Sequence, residues 1–247
     1  NQVQPQIIID NSITNIMDNN FFKEITDIYL QCNDIYYIIF TSGSTGEPKG
    51  VQITYNNLIS CMNWLIKICD VNNDVVLNQA NYSFDLSVAD IYLPLLTRSK
   101  HYIIERETQK NFQTLFEELK NSNTGLAVMT PSFADLLLVD KSFNKELMPN
   151  LKKILFCTFA VTSAIINSNE EITIGTPKDD TQIFIVNDNL EVLQDEQIGE
   201  ILIAGASVGK GYLNEELNKN VFITFDNKNA YLTGDLAYIK NNKIYYI

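Results

Sequence analysis

Apolar and polar positions alternate in two distinct rhythms along this chain. After an Asn-rich start with a short apolar run at residues 6–10 and a weak helical pattern at 21–30, residues 34–40 form a dense β-branched and aromatic run. That run predicts a buried strand. A second strand is expected at 51–53, then a helix at 55–69 capped by Thr54, with Leu58, Cys61, Met62, Leu65, Ile66 and Cys69 at three- and four-residue spacing. The rhythm then repeats. Strands are predicted at 74–79, 102–104, 125–129 and 153–156. Helices are predicted at 84–96 (Val88, Ile91, Tyr92 and Leu95 as its face), 111–121 and 132–139. Strand and helix in alternation define a layered α/β fold with a largely parallel sheet, assigned to residues 1–163. Past residue 163 the helical period disappears. Short strands at 181–186, 199–204, 230–233 and 243–247 predict a β-rich, barrel-like or small-sheet subdomain over 164–247.

Composition narrows the class. A hydrophobic fraction of 45% is enough for a core. The balance of 18 Lys+Arg against 30 Asp+Glu, net −12, argues against a non-specific nucleic-acid or anionic-membrane binder. No apolar run reaches the ~18 residues of a membrane helix, and no basic-then-apolar leader opens the chain. The four cysteines, Cys32, Cys61, Cys69 and Cys157, form no C-x-x-C pair and read as reduced thiols of a cytoplasmic protein. His101 is the only histidine, so neither a histidine-rich metal site nor a catalytic triad beside one is available. The run 243–247 reads as a strand, and an ending there suggests part of a larger protein.

The chemistry concentrates in Thr41-Ser42-Gly43-Ser44-Thr45-Gly46-Glu47-Pro48-Lys49-Gly50. Six small, hydroxylated or glycine residues follow an apolar strand. Such a loop can aim successive N–H groups and hydroxyls at an anion, with Lys49 adding a fixed positive charge. The pattern suits a nucleotide's phosphates. It is not a Walker A loop, because Gly50 and a strand follow Lys49 where Ser/Thr and a helix would stand. The plainer alternative is a hairpin loop between two strands.

The segment from Tyr37 to Val51 resembles the phosphate loop of the adenylate-forming superfamily, which includes acyl-CoA synthetases, luciferases and peptide-synthetase adenylation domains. Further segments resemble that family in its own order. They are Phe84-Asp85-Leu86-Ser87, then Gly199-Glu200-Ile201 through Gly205, Gly211-Tyr212-Leu213, and Tyr231-Leu232-Thr233-Gly234-Asp235. Among amino-acid-activating members the chain is most similar to D-alanine–carrier-protein ligases, which serve teichoic acid synthesis. Adenylation domains of non-ribosomal peptide synthetases come next. The resemblance implies that Thr41, Ser42, Gly43, Ser44, Thr45, Gly46 and Lys49 hold the β- and γ-phosphates of ATP. It implies that Thr45 helps to place Mg²⁺ and that Asp235 accepts the ribose hydroxyls. It also implies that Asp85 pairs with the substrate's α-ammonium group, with Phe84, Ala89 and Cys157 beside the amino acid. A plainer role for Asp85, compatible with that one, is to cap the helix at 86–96 that follows. The implied activity is ATP-dependent formation of an aminoacyl-AMP, with D-alanine as the first candidate. Transfer to the phosphopantetheine thiol of a carrier protein would follow.

Three departures from the family stand out. The family's Tyr-Gly-Pro-Thr-Glu segment has no counterpart after Cys157, which Thr158 follows directly. Its adenine-stacking Tyr and Mg²⁺-linked Glu are therefore missing here. The small C-terminal domain, with the lysine that contacts the substrate carboxylate, is expected beyond Ile247. No catalytic residue is assigned within these 247 residues, and alone they are expected to adenylate little. Ala89 stands where D-alanine ligases usually carry a larger apolar residue, which implies either a roomier pocket or local repacking. A degenerate nucleotide-binding scaffold is the competing reading from another class.

Overall fold

The computed structural model describes residues 30–41, 47–156, 162–163 and 176–247. The strand expected at 6–10, and the helix expected at 21–30 except for Leu30, lie outside them. All elements below belong to the compact unit Cys32–Ile247. In chain order they begin with β1 (Ile35–Thr41), β2 (Lys49–Thr54) and helix α1 (Tyr55–Cys69). Strand β3 (Val75–Asn78), α2 (Leu86–Thr97), β4 (Lys100–Ile103), α3 (Phe112–Asn121), β5 (Leu126–Met129), α4 (Pro131–Leu138) and β6 (Lys153–Phe156) follow. The remainder is β7 (Thr162–Ser163), β8 (Thr176–Pro177), β9 (Thr181–Val186), β10 (Gly199–Gly205), β11 (Gly211–Tyr212), β12 (Phe222–Phe225), β13 (Lys228–Lys240) and β14 (Lys243–Tyr246).

Strands β3 to β6 form the parallel sheet, in the order β4-β3-β5-β6. Their two-residue period sorts the core into two layers. Val76, Leu126 and Val128 face α1 and α2, meeting Leu58, Met62, Leu65 and Leu93. Leu77, Ala127 and Met129 face α3 and α4, meeting Leu115, Leu119, Phe133 and Leu137. Helices on both faces explain why these strands read as unbroken apolar runs. The chain passes from β3 outward to β4, then returns across β3 to β5, so the winding reverses between β3 and β5. A crevice at the carboxyl ends of strands beside such a reversal is where open α/β sheets bind ligands.

Three antiparallel sheets complete the described fold. One has the order β1-β2-β11; the second has β12-β13-β10-β9, with β14 on β13; the third is the pair β7-β8. The β-rich character expected past residue 163 is met by these strands and one 3-10 turn (Glu215–Asn218). Two expectations need correction. The strand around 34–40 is not buried: β1 runs along the edge of its sheet among the described residues, and Phe40 is 61% exposed. On α2 the buried face is Leu86, Ala89, Asp90 and Leu93, with Pro94, whereas Leu95 is 69% exposed. The helix is apolar nearly all round, so the sheet it packs on sets its rotation.

Candidate functional site

The Ser/Gly segment joins β1 to β2, which pair antiparallel with Thr41 opposite Lys49. It is therefore a hairpin loop in topology, and a phosphate cradle can be built on that topology as well. Ser42, Gly43, Ser44, Thr45 and Gly46 lie outside the described residues, as does Cys157. The two ends of the loop are placed. Thr41 Oγ1 donates to the Lys49 carbonyl at 3.5 Å, and Lys49 Nζ sits 5.5 Å from the centre of the Tyr212 ring.

Phe84 and Asp85 stand between β3 and α2, beside the winding reversal. Phe84 is 64% exposed, and Asp85 is exposed at the helix start. Asp85 occupies the N-cap position with helical dihedrals, and its side chain makes no capping bond. The turn is held by other groups. Ser87 Oγ donates to the Phe84 carbonyl at 2.6 Å, and Phe84 N–H donates to the Asn81 carbonyl at 2.9 Å. The Asp85 carboxylate is left free of a capping duty and lies within electrostatic reach of the Tyr37 hydroxyl. Burial first, then Cys61, Asp85 and Tyr92, raise the proton affinity of that hydroxyl. Ala89, one turn along, is 6% exposed in the core with Leu58 and Met62.

Asp235 belongs to β13, at an irregularity rather than a free turn. Glu200 pairs with Leu236 and Leu202 with Leu232, so β13 advances four residues where β10 advances two. The excess residues bulge out around Thr233-Gly234-Asp235. Gly234 adopts φ +80°, and a Cβ there would meet nothing within 4 Å, so its glycine answers a backbone need. Gly234 N–H donates to Glu200 Oε1 at 2.7 Å and Thr233 Oγ1 to the Ile201 carbonyl at 3.0 Å. Tyr246 hydroxyl donates to Asp235 Oδ1 at 3.3 Å.

Several groups that motif reading does not single out stand nearby. Lys178 is buried, with its ammonium bonded to Ser60 Oγ and 3.0 Å from Asp180 Oδ1, while Ser60 Oγ donates to Asp180 Oδ2 at 2.6 Å. Burial pushes the Asp180 carboxyl up, but the bonds from Ser60 and Lys178 and the lysine's charge hold it below its ordinary value. Asp90 has no accessible surface; Asn78 Nδ2 and the Ala80 N–H donate to it, and its Oδ1 has no partner. Nothing in the sequence signalled Asp90, which lies off the apolar face expected for this helix. A cavity of about 580 Å³, lined by Thr54, Asn57, Gly209, Lys210, Lys228 and their neighbours, contains none of the sequence-predicted site residues.

The described residues thus place an exposed carboxylate beside the reversal of the parallel sheet and a Thr-Gly-Asp bulge on β13. The chain belongs to the AMP-binding enzyme family, whose profile matches residues 6–172. It is 37% identical over 251 residues to the D-alanine--D-alanyl carrier protein ligase of Bacillus licheniformis, covering 87% of this chain and 50% of that protein. The ligase of the same name from Bacillus velezensis is 35% identical over 280 residues, covering 98% and 54%. The chain thus spans about half the length of these relatives. Because 280 aligned positions exceed the chain's 247 residues, that relative carries residues with no counterpart here. The Vibrio cholerae adenylation domain AlmE, solved in complex with glycyl-adenosine-5'-phosphate, shares the fold at TM-score 0.74 and 23% identity, over 88% of this chain and 48% of that one.

Proposed function

We propose that the whole protein activates an amino acid, D-alanine first, as an aminoacyl-AMP and transfers it to the phosphopantetheine thiol of a carrier protein. One observation carries this reading. Asp85 is an exposed carboxylate, without capping duty, at the reversal point of the parallel sheet. A fixed negative charge in that crevice suits an α-ammonium group. The likeness to D-alanine ligases supports the choice of substrate.

In this reading Thr41 and Lys49 hold the base of the loop whose Ser42–Gly46 segment takes the ATP phosphates. Lys49 offsets charge that builds as the substrate carboxylate attacks the α-phosphorus and pyrophosphate leaves. Asp235, on its bulge, accepts the two ribose hydroxyls. Phe84 and Cys157 flank the amino acid, and Ala89 bounds its side-chain end one turn from Asp85. Among the described residues no group of three or more His, Cys, Asp or Glu side chains could hold a metal. A Mg²⁺ would arrive on the nucleotide and keep phosphate and water ligands, with Thr45 as the proposed protein contact. We assign residues 1–163 to nucleotide and amino-acid binding and 164–247 to the β-rich ribose-binding part.

Amino-acid-dependent exchange of pyrophosphate into ATP tests the reading in the whole protein. Asp85→Asn is expected to raise KM for D-alanine by about ten- to a hundredfold, the worth of one charge-assisted bond, and to leave KM for ATP within about twofold. Unchanged KM for the amino acid removes Asp85 from the pocket. Wild-type exchange that ignores D-alanine and answers a different amino acid reassigns the substrate. No exchange with any amino acid, and no ATP-induced stabilisation, favours the scaffold reading.

A further inference from the structure

The described surface holds one side-chain chain that joins two of the candidate motifs directly. Lys49, the first residue of β2, lies over the ring of Tyr212 on β11, 5.5 Å from its centre. Tyr212 pairs with Val51, which projects on the same face of β2 as Lys49, so the contact is a cross-strand diagonal. The Tyr212 hydroxyl is 3.0 Å from the hydroxyl of Tyr231 on β13. Tyr231 lies two residues before Thr233, where the bulge begins. Burial first, then the bond to Tyr212 and the charges of Asp235 and Glu200, raise its proton affinity, which places the pair electrically beside the bulge.

Tyr212 is held through its backbone and its ring. Its N–H donates to Asn218 Oδ1 at 2.7 Å, and its carbonyl accepts from Asn218 Nδ2 at 3.1 Å and Gln52 Nε2 at 3.2 Å. The preceding Gly211 has φ +116°, and a Cβ there would run into the Asn218 side chain at 2.9 Å. Phe222 packs edge-on against Tyr212 at 5.3 Å and tilted against Tyr231 at 4.8 Å. Backbone clamp and ring packing together fix the ring's position.

We propose that Tyr212 and Tyr231 are positioning residues for nucleotide binding: the Tyr212 ring carries the Lys49 ammonium, and the hydroxyl pair ties it to the Thr233–Asp235 bulge. The lysine at the phosphate end and the carboxylate at the ribose end are thereby held at a set separation before nucleotide arrives. This rests on the proposed nucleotide site. A hydrated ammonium parked on a ring face keeps its charge and surrenders little on meeting phosphate.

Two measurements on the whole protein test this. The first needs no activity. After reductive ¹³C-dimethylation of lysines, which keeps their charge, the Lys49 methyl signal (identified by its loss in Lys49→Arg) is expected upfield of the other lysines. It should return among them in Tyr212→Leu. A Lys49 signal with no upfield shift in the wild type, or one that persists in Tyr212→Leu, overturns the proposal whatever the enzyme does. The second is ATP–pyrophosphate exchange. Tyr212→Leu is expected to raise KM for ATP about five- to twentyfold, in the range of a partly desolvated cation–π contact, with KM for the amino acid unchanged. Tyr212→Phe and Tyr231→Phe should each raise it about two- to fivefold, and the double variant no further than either single one. Equal changes in both KM values, or additive effects of the two Phe substitutions, would point to a merely structural role and overturn it. Absence of exchange in the wild type fails the proposed function, while the lysine signal still decides the contact.

Discussion

At the scale of single residues, Asp90 is the sharpest conflict between burial and charge among the described residues. It has no accessible surface and one unpartnered oxygen. Burial pushes its carboxyl up to about 7, against the lowering bonds from Asn78 and the Ala80 N–H. In the unfolded chain the same group ionises near 3.8. Between those values the native state holds a proton that the unfolded state has released. Stability from this group is therefore present in full below about pH 4 and is lost as pH rises toward 7, with a slope of about 1.4 kcal/mol per pH unit. Urea midpoints across that range should show the slope in the wild type and its loss in Asp90→Asn. Equal pH dependence in both proteins would mean that Asp90 stays ionised in the fold. His101, the one histidine, is also partly buried with an unpartnered Nε2. Burial lowers its proton affinity.

At the scale of elements, periodicity located most helices and parallel strands within two residues, because each is short and bounded by polar punctuation. Thr54 was legible as a cap. It accepts from Asn57 N–H at 3.2 Å, and Asn57 Oδ1 accepts from Thr54 N–H at 2.8 Å. Thr54→Ala is expected to cost about 1 kcal/mol through loss of this reciprocal cap, measurable as a lowered urea midpoint at unchanged m. No change would assign the helix start to its tertiary contacts alone. Rotation was less legible than position. On α2 Asp90 sits on the buried face while Leu95 and Leu96 sit outside, so the stripe is rotated from the expected one. Strand length also escaped the pattern. β13 runs thirteen residues, Lys228–Lys240, but its alternation breaks at the Thr-Gly-Asp bulge, so only 230–233 read as a strand. The break that hid the strand is the feature that presents Asp235.

At the scale of the molecule, the motifs were legible because each is contiguous: the loop before Lys49, Phe84-Asp85, and Thr233-Gly234-Asp235. Their connection was not. The link from Lys49 through Tyr212 to Tyr231 draws on β2, β11 and β13, and no spacing rule relates positions so far apart in sequence. The Lys178–Asp180–Ser60 group is hidden for the same reason, since it ties α1 to the turn between β8 and β9. The net charge of −12 gives the whole surface no general attraction for a nucleotide. In the proposed reading, affinity comes from local groups held in place, among them the clamped Tyr212 and the bulge at Gly234. In the proposed function, Asp85 reads the amino group of the substrate. Calorimetric titration of the whole protein with two unreactive adenylate mimics tests it most directly: the sulfamoyl-adenosine of D-alanine, and the matching propionyl compound that lacks only the amine. The account predicts at least about tenfold tighter binding of the D-alanyl compound, with the gap closing in Asp85→Asn. Equal affinities in the wild type, or a gap that survives the substitution, would contradict it.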